Sequence, residues 1–396
     1  MGAVLPAPRP GRAEIPLTLY VHLPWCARKC PYCDFNSHAA EKPLPEAEYL
    51  GALLTDLEYD LPLVGGRPVK AIFFGGGTPS LFPASFYSAL LTGIRERLEV
   101  EVDAEITLEA NPGTVSEACL AALREAGINR LSIGGQSFDD RLLAAIGRIH
   151  DAKAVRSAVL AAQRAGFTEV NLDLMFGLPD QSPQQALKEL REAIELAPTH
   201  ISYYQLTLEP GTPFGRQPPP GIADEGALWE MQLAGSETLE SSGYRRYEIS
   251  AYSQSGSECR HNRNYWEFGD YLGLGAGAHG KLTSSSGTYF RSRKLANPAG
   301  YLRTAGTKRC GSRREIRSPT DRMVEFLINA LRLTDGFATG VFESRTGLPA
   351  RALLEVIQPV LADGFLITAG DRIMPTQLGM RYLDEVLSRC AIEADH

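Results

Sequence analysis

The sequence predicts an α/β fold, an open (β/α)6 partial barrel of the TIM type, followed by a C-terminal winged-helix-like domain. Three observations carry this reading. Short apolar, β-branched segments alternate with helix-length amphipathic segments through the first half of the chain. Polar residues stand near the ends of the six such strands, about 30 residues apart, as functional residues do at the mouth of a barrel. Beyond residue 312 the pattern changes to helices, then Phe365-Leu366-Ile367-Thr368 and Arg372-Ile373-Met374 flank Ala369-Gly370-Asp371, a hairpin signal.

Residues 17–23 read as the first strand and 46–61 as an amphipathic helix. Residues 70–74 form a short apolar strand running into Gly75-Gly76-Gly77-Thr78-Pro79, with a helix over 84–98. The third strand, 105–109, leads to Asn111-Pro112-Gly113 and a helix over 116–126. Residues 130–133 run into Gly134-Gly135-Gln136-Ser137, and the helical pattern that follows is interrupted near Gly147. The fifth strand, 169–175, ends at Gly177-Leu178-Pro179; 182–196 is helical and 200–206 is the sixth strand. Short apolar strands separated by helices imply a parallel sheet with helices packed on it. Residues 210–221 (PGTPFGRQPPPG) are too broken for regular structure and read as a loop near the barrel mouth.

The chain divides into a loose N-terminal tail (1–15), the barrel (16–243), a connecting region (244–311) and the winged-helix-like domain (312–396). Within the connecting region, residues 269–280 (GDYLGLGAGAHG) imply tight backbone packing or a second close approach to a ligand. They lack the βαβ context of a dinucleotide fingerprint. The C-terminal domain has no dense basic recognition helix, so it is expected to cover the barrel mouth or dock a partner.

With 396 residues, 44% hydrophobic and 22% charged, the chain can bury a large core. A formal charge of −7 provides no electrostatic reason to expect nucleic acid. Seven cysteines without an even framework imply a reducing compartment, and the cytoplasm is expected. No segment reaches the ~18 uninterrupted apolar residues of a membrane span. The first fifteen residues, rich in Pro and Ala, lack the apolar run of a signal peptide.

Chemistry is carried first by Tyr20-Val-His-Leu-Pro-Trp-Cys26-Ala-Arg-Lys-Cys30-Pro-Tyr-Cys33-Asp-Phe35. Three thiolates in one loop at a strand end can each bind one iron of a 4Fe–4S cubane, leaving the fourth iron open for chemistry. A disulfide framework does not fit, because the number is odd and Cys119, Cys259, Cys310 and Cys390 are scattered singly. A structural zinc site is the competing reading, with His22 or His38 as a fourth ligand.

The other candidates each have a plain alternative. The Gly75–Gly77 run is a turn, or a place where backbone approaches a ligand closely. Glu109 is a surface carboxylate, or, at the end of an apolar strand, a partner for a hydroxyl or ammonium. Asp173, between Leu172 and Leu174, would be costly to bury without a partner. Gln136 and Gln205 stand at equivalent strand ends. Arg148 is a solvated helix residue, or a guanidinium fork for a carboxylate.

The CxxxCxxC spacing with Tyr32 before the third cysteine resembles the radical S-adenosylmethionine (SAM) superfamily, in which the open iron chelates SAM. The strings YVHLPWC, CPYCDFNSH, FFGGGTPS, LEANPGT, NLDLMFGLP, YYQLTLEPGTP and RHNRNYW resemble, more specifically, the haem-chaperone branch of the family of oxygen-independent coproporphyrinogen III oxidase (HemN). The likeness runs from about Tyr20 to the C-terminus. It implies that Cys26, Cys30 and Cys33 hold a 4Fe–4S cluster, and that Tyr20, Gly76, Gly77, Thr78, Glu109, Gln136, Arg148 and Asp173 contact SAM. The oxidase has a fourth cysteine two positions after the third, where this chain has Phe35, and His261-Asn262-Arg263-Asn264-Tyr265-Trp266 matches the HNxxYW signature of the chaperones.

By this resemblance His261 and Tyr265 contact haem, His261 offering an imidazole nitrogen to iron. The alternatives remain a hydrogen-bonded structural His261, Tyr265 and Trp266 as core filling, and Cys259 as a thiolate ligand or a buried thiol. No catalytic residue is assigned. The implied function is to bind haem and deliver it to haem-requiring respiratory membrane proteins, without coproporphyrinogen oxidase activity. The alternative is radical SAM oxidative decarboxylation of coproporphyrinogen III. The implied partners are haem, its acceptor proteins, an electron donor and a second copy of the chain as a homodimer, with peripheral contact at the inner membrane.

Overall fold

Six parallel strands form the centre of the molecule: β1 (Leu17–Leu23), β2 (Val69–Gly76), β3 (Val100–Ala110), β4 (Arg130–Gln136), β5 (Glu169–Phe176) and β6 (His200–Gln205), mostly buried except for the start of β3 and the end of β6. They lie side by side in chain order. This comes from a computed structural model that describes residues 15–40, 43–284 and 287–395. Of the expected tail, residues 1–14 lie outside the described residues. Ile15 is already buried, and its carbonyl accepts from Arg67.

Strands buried on both faces must be covered by helices, and the connecting segments supply them. Their starts are capped by side chains that accept from the first free amides: Ser116 from Cys119, Asp151 from Ala154, Asp224 from Ala227, and Ser182 in a capping box with Gln185. The helix expected over 46–61 runs through Pro62 to Val64 and stops where Gly65 takes the left-handed conformation (φ 67°).

The sheet does not stop at six strands. Among the described residues it has twelve, and residues 244–311, expected to be connecting structure, supply five of them, with Gly311–Ile316 at one edge. Asp270–Leu274 pairs in parallel with β1, and His279–Thr283, Tyr289–Lys294 and Gly311–Ile316 continue the sheet antiparallel. Beyond β6 lie Ala251–Ser253 and Arg245–Arg246. The glycines of 269–280 therefore serve close backbone packing. A Cβ on Gly273 would lie 2.0 Å from the His279 carbonyl, and one on Gly275 (φ 98°) 2.3 Å from the His22 carbonyl.

Asp270, fully buried at the start of this added strand, anchors it. Its carboxylate accepts from Arg67 Nη1 (2.8 Å), Lys281 Nζ (3.0 Å), the Thr283 amide (2.7 Å) and the Thr283 hydroxyl (2.8 Å). Four donors on one carboxylate are what burial of that charge requires.

The C-terminal module, Pro319–Ala330 onward, packs its helices and a three-stranded sheet around Phe326, Phe337, Phe342 and Leu353. The hairpin expected around Gly370 is present, pairing Leu366–Ala369 with Arg372–Pro375, and Phe337–Ala338 adds a third strand. The closing helix comes in two pieces, Gln377–Arg381 and Leu383–Asp395. Among the described residues no helix is long and apolar enough to cross a membrane.

Candidate functional site

At the C-terminal end of β1 the chain turns into the three-cysteine loop. A two-residue parallel bridge between Trp25–Cys26 and His38–Ala39 closes the loop, and buried Trp25 packs edge-on against Tyr49 (4.7 Å). The Gly77 amide donates to the Leu23 carbonyl and the Thr78 amide to the Trp25 carbonyl, both at 2.8 Å, tying the glycine run to this loop. A Cβ on Gly77 would lie 2.6 Å from the Trp25 carbonyl, and one on Gly76 (φ 114°) 2.6 Å from the His22 ring, so both positions require glycine.

Cys26, Cys30 and Cys33 line one cavity of about 310 Å³. Gly76, Gly77, Thr78, Glu109, Gln136, Arg148 and Asp173 line it too, from the ends of successive strands and the loop after β4. Seven of the eight residues expected to contact SAM therefore meet the three thiols in one mouth. Tyr20 lines two adjoining cavities, which share Glu109 with the first.

Burial pushes the Cys26 and Cys33 thiols up, so each keeps its proton until a metal displaces it. Arg148 Nη1 lies 3.7 Å from Cys30 Sγ, and its Nη2 donates to the Gly134 carbonyl (2.7 Å). His22 cannot serve as a fourth ligand as it stands. Its Nε2–H donates to the Asn36 carbonyl (2.8 Å) and its Nδ1 accepts from the Tyr20 hydroxyl (2.9 Å), which uses both nitrogens. His38 is bonded to Asn36 (3.3 Å). Among the described residues no three His, Cys, Asp or Glu side chains are grouped to hold one ion. Thiolates on a cubane bind different irons and do not have to meet at a point.

The charge balance of the mouth calls for a cation. Burial and the neighbouring Asp173 push the Glu109 carboxyl up to about 8, against a bond from the Gly76 amide (3.1 Å) that favours its charge. Burial likewise raises Asp173, although Asn171 Nδ2 (2.7 Å) and the Ser132 hydroxyl (3.3 Å) donate to it. A ligand ammonium set between them would relieve both. Two further atoms lack partners: the buried Gln136 Oε1 and Arg148 Nε have none among the described residues. Gln136 also holds a left-handed backbone (φ 65°), a strain kept at the site. Donors for a carboxylate, acceptors for an ammonium, a close glycine backbone and three thiols fit a SAM-bound 4Fe–4S cluster. Tyr204, whose hydroxyl accepts from Gln136 Nε2 (3.4 Å), along with Asn111, Thr114 and Ser132, also lines the mouth. None of the four is singled out by the sequence: Asn111, Thr114 and Tyr204 lie within family strings without a chemical signal of their own, and Ser132 looks like an ordinary strand residue.

Deeper in the barrel a cavity of about 360 Å³ is lined by His261, Tyr265, Tyr20, Phe73 and Glu109. The helix Arg260–Trp266 carries His261 into it, with the backbone amides of Arg260 and His261 both donating to buried Glu105. The imidazole is 1% exposed, stacks on Phe73 (5.0 Å) and Tyr20 (6.2 Å), and meets Tyr265 edge-on (4.7 Å). Neither ring nitrogen has a hydrogen-bond partner among the described residues, and burial pulls its pKa down to about 3. The hydrogen-bonded structural alternative for His261 thus finds no bonds to support it.

Two neighbours take other roles. Cys259 is a buried thiol whose Sγ–H donates to Glu105 (3.4 Å), with burial raising it strongly, so it is not poised as a thiolate ligand. Trp266 lies under the Arg332 guanidinium (4.2 Å) at the junction with the C-terminal module. None of the described residues lining the three connected cavities lies beyond Ala296, so of the two roles expected for the module, covering the barrel mouth or docking a partner, the first finds no support.

A three-thiol loop at the mouth of an open parallel barrel, with a second small α/β module behind it, defines a radical SAM protein of the HemN type. Family models agree: the Radical SAM superfamily matches residues 20–193 and the HemN C-terminal domain residues 318–382. The chain belongs to the HemW haem chaperone family. It is 45% identical over 372 residues to "Heme chaperone HemW" of Escherichia coli (strain K12), covering 94% of this chain and 97% of that protein. Its identity to the HemW of Haemophilus influenzae is also 45%, over 376 residues and the same shares of each. Among solved structures, coproporphyrinogen III oxidase (HemN) from Escherichia coli, described as a radical SAM enzyme, superposes with a TM-score of 0.79 at 25% identity, covering 96% of this chain and 90% of that one. Radical SAM membership implies a 4Fe–4S cluster and SAM.

Proposed function

We propose that this protein is a haem chaperone that binds haem beside a cluster-and-SAM mouth and passes it to haem-requiring respiratory membrane proteins. Cys26, Cys30 and Cys33 hold the cluster in this reading. Gly76, Gly77, Thr78, Glu109, Gln136, Arg148 and Asp173 hold SAM, with Tyr20 behind them supporting His22. The bound cluster supplies one open iron and low-potential electron transfer. His261 and Tyr265 contact haem. The observation that carries the haem assignment is the His261 ring, buried with both nitrogens unpartnered in a cavity lined by aromatics. An unbonded buried imidazole costs free energy unless a ligand takes it up, and neutral imidazole is a common donor to haem iron. Working in the cytoplasm, as a homodimer with peripheral contact at the inner membrane, suits delivery to membrane acceptors.

Replacing His261 with Ala should keep the fold while lowering its stability, because the ring loses its packing on Phe73, Tyr20 and Tyr265 but no hydrogen bond. Titrated with hemin, the variant should show a displaced Soret band and at least roughly tenfold weaker binding. Unchanged spectra and affinity would reject His261 as a haem contact.

A second reading, oxidative decarboxylation of coproporphyrinogen III, is favoured by the fold shared with HemN across nearly the whole chain. Anaerobic incubation of reconstituted protein with SAM, reductant and coproporphyrinogen III separates the two. Stable hemin binding without turnover supports the chaperone, and protoporphyrinogen formed at enzymatic rates overturns it.

Glu109 provides a pH test of the SAM assignment. Its carboxyl, held up near 8, is protonated at neutral pH, and an ammonium bound against it would expel that proton. SAM affinity of the reconstituted protein should therefore rise with pH up to about 8 and then flatten. Calorimetry in buffers of different ionisation heat should show proton release below that pH. Glu109→Gln should weaken binding by roughly tenfold or more and abolish the pH dependence. A pH-independent affinity would remove Glu109 from the SAM site.

A further inference from the structure

Beside the aromatic cavity lies a third, of about 560 Å³, bounded by the cluster loop on one side and the added antiparallel strands on the other. It shares Tyr20, Phe35, Glu109 and Tyr265 with the His261 cavity, so the two are continuous. Its outer wall carries two cations and an imidazole. Lys29 comes from the cluster loop; Arg293 and His279 are cross-strand partners on adjacent strands, and burial together with Arg293 and Arg291 pulls His279 down, so it faces the cavity as a neutral N–H donor.

The strand Tyr289–Lys294 shows which of its cations belongs to the fold. Arg291 donates to Glu325 (2.8 Å) and to the Tyr271 hydroxyl (2.9 Å), and Lys294 is held between Asp56 (2.5 Å) and Asp60 (2.7 Å). Arg293 is exposed at the cavity and pairs with no carboxylate among the described residues. Among the described residues Lys29 donates only to the Phe35 carbonyl (3.0 Å) and pairs with no carboxylate. The acids at this cavity are Asp34, exposed at the rim, and Glu109, at the base, protonated below about 8. A chain of net charge −7 thus keeps a locally positive wall at the outer end of an aromatic cleft.

A flat apolar ligand in the His261 cavity would extend an edge towards this wall, and the wall demands that the edge be anionic. We propose that Arg293, with Lys29 and His279, receives the propionate carboxylates of the bound tetrapyrrole. This rests on the haem reading above and adds the orientation of the ligand: macrocycle against His261 and Tyr265, acid edge outward. Guanidinium binds carboxylate bidentately, so Arg293 supplies most of the discrimination.

The test is absorbance titration of the full-length protein with hemin and with its dimethyl ester, which keeps the macrocycle and removes the charges. Wild type should bind hemin at least roughly tenfold more tightly than the ester. Arg293→Gln should lose most of that preference, with weaker hemin binding and unchanged ester binding. Arg314→Gln, an arginine 71% exposed on the neighbouring strand, should behave as wild type. If hemin binds but Arg293→Gln matches wild type for both ligands, or wild type binds hemin and ester alike, this assignment is overturned while the haem reading stands. If wild type binds neither, both fall together.

Discussion

Cys30→Ser, reconstituted anaerobically with iron and sulfide, should retain essentially none of either, whereas wild type retains both. A cubane held by three thiolates already has one open iron, and with two it has a second exposed to water and is not kept. The loss should be specific to the loop. Cys119→Ser, which changes a lone cysteine on a surface helix, should keep the full complement. The loss should also leave the fold largely intact, since the loop is held by the Trp25–Cys26 bridge and by Trp25 packing rather than by the thiols. Iron and sulfide analysis together with a melting curve checks both parts. Cluster retained in Cys30→Ser, or zinc in place of iron in the wild type, would sink the cluster assignment.

The second large effect lies far from the mouth. Asp270→Asn should lower stability by about 3–5 kcal/mol, because it leaves Arg67 and Lys281 buried without their counter-charge. Glu117→Gln, which breaks an ion pair whose partners are 57% and 52% exposed, should cost no more than about 1 kcal/mol. The midpoints of urea unfolding compare the two directly. The pH dependence follows from the same carboxyl. Burial would raise it, but Lys281, Arg67 and the Thr283 amide together hold it below the ordinary carboxylate range. Its stabilisation is therefore present above pH ~4 and is lost as pH falls through the lowered folded value. Asp270→Asn should flatten that part of the acid limb, and equal stability of variant and wild type at neutral pH would show that the network contributes nothing.

The residues around the mouth were readable one by one because each breaks a local rule. A carboxylate at the end of an apolar strand, a triple glycine after a strand and three cysteines in eight positions all stand out within a few residues of sequence. Tyr204 and Ser132 break no rule, since polar residues alternate in strands routinely, and only the side-by-side pairing of β4, β5 and β6 turns them into the mouth. The strand Asp270–Leu274 was hidden for a different reason. Gly273 within it and Gly275 just after it weaken the strand pattern, and they are needed because the atoms nearest them are backbone carbonyls, those of His279 and His22.

By itself, the sequence determined the order of the β/α units and marked the three-cysteine loop and the polar strand ends as candidates, because these depend on spacing within one loop or one strand. Only the tertiary structure decided which groups are left unpaired. Among the described residues, it alone leaves the His261 ring without hydrogen-bond partners and Arg293 without a carboxylate where Arg291 and Lys294 are neutralised, and it puts Trp266 under Arg332. Pairing and burial are made by segments far apart in the chain, so the free energy of a buried imidazole or an uncompensated guanidinium exists only once those segments have met.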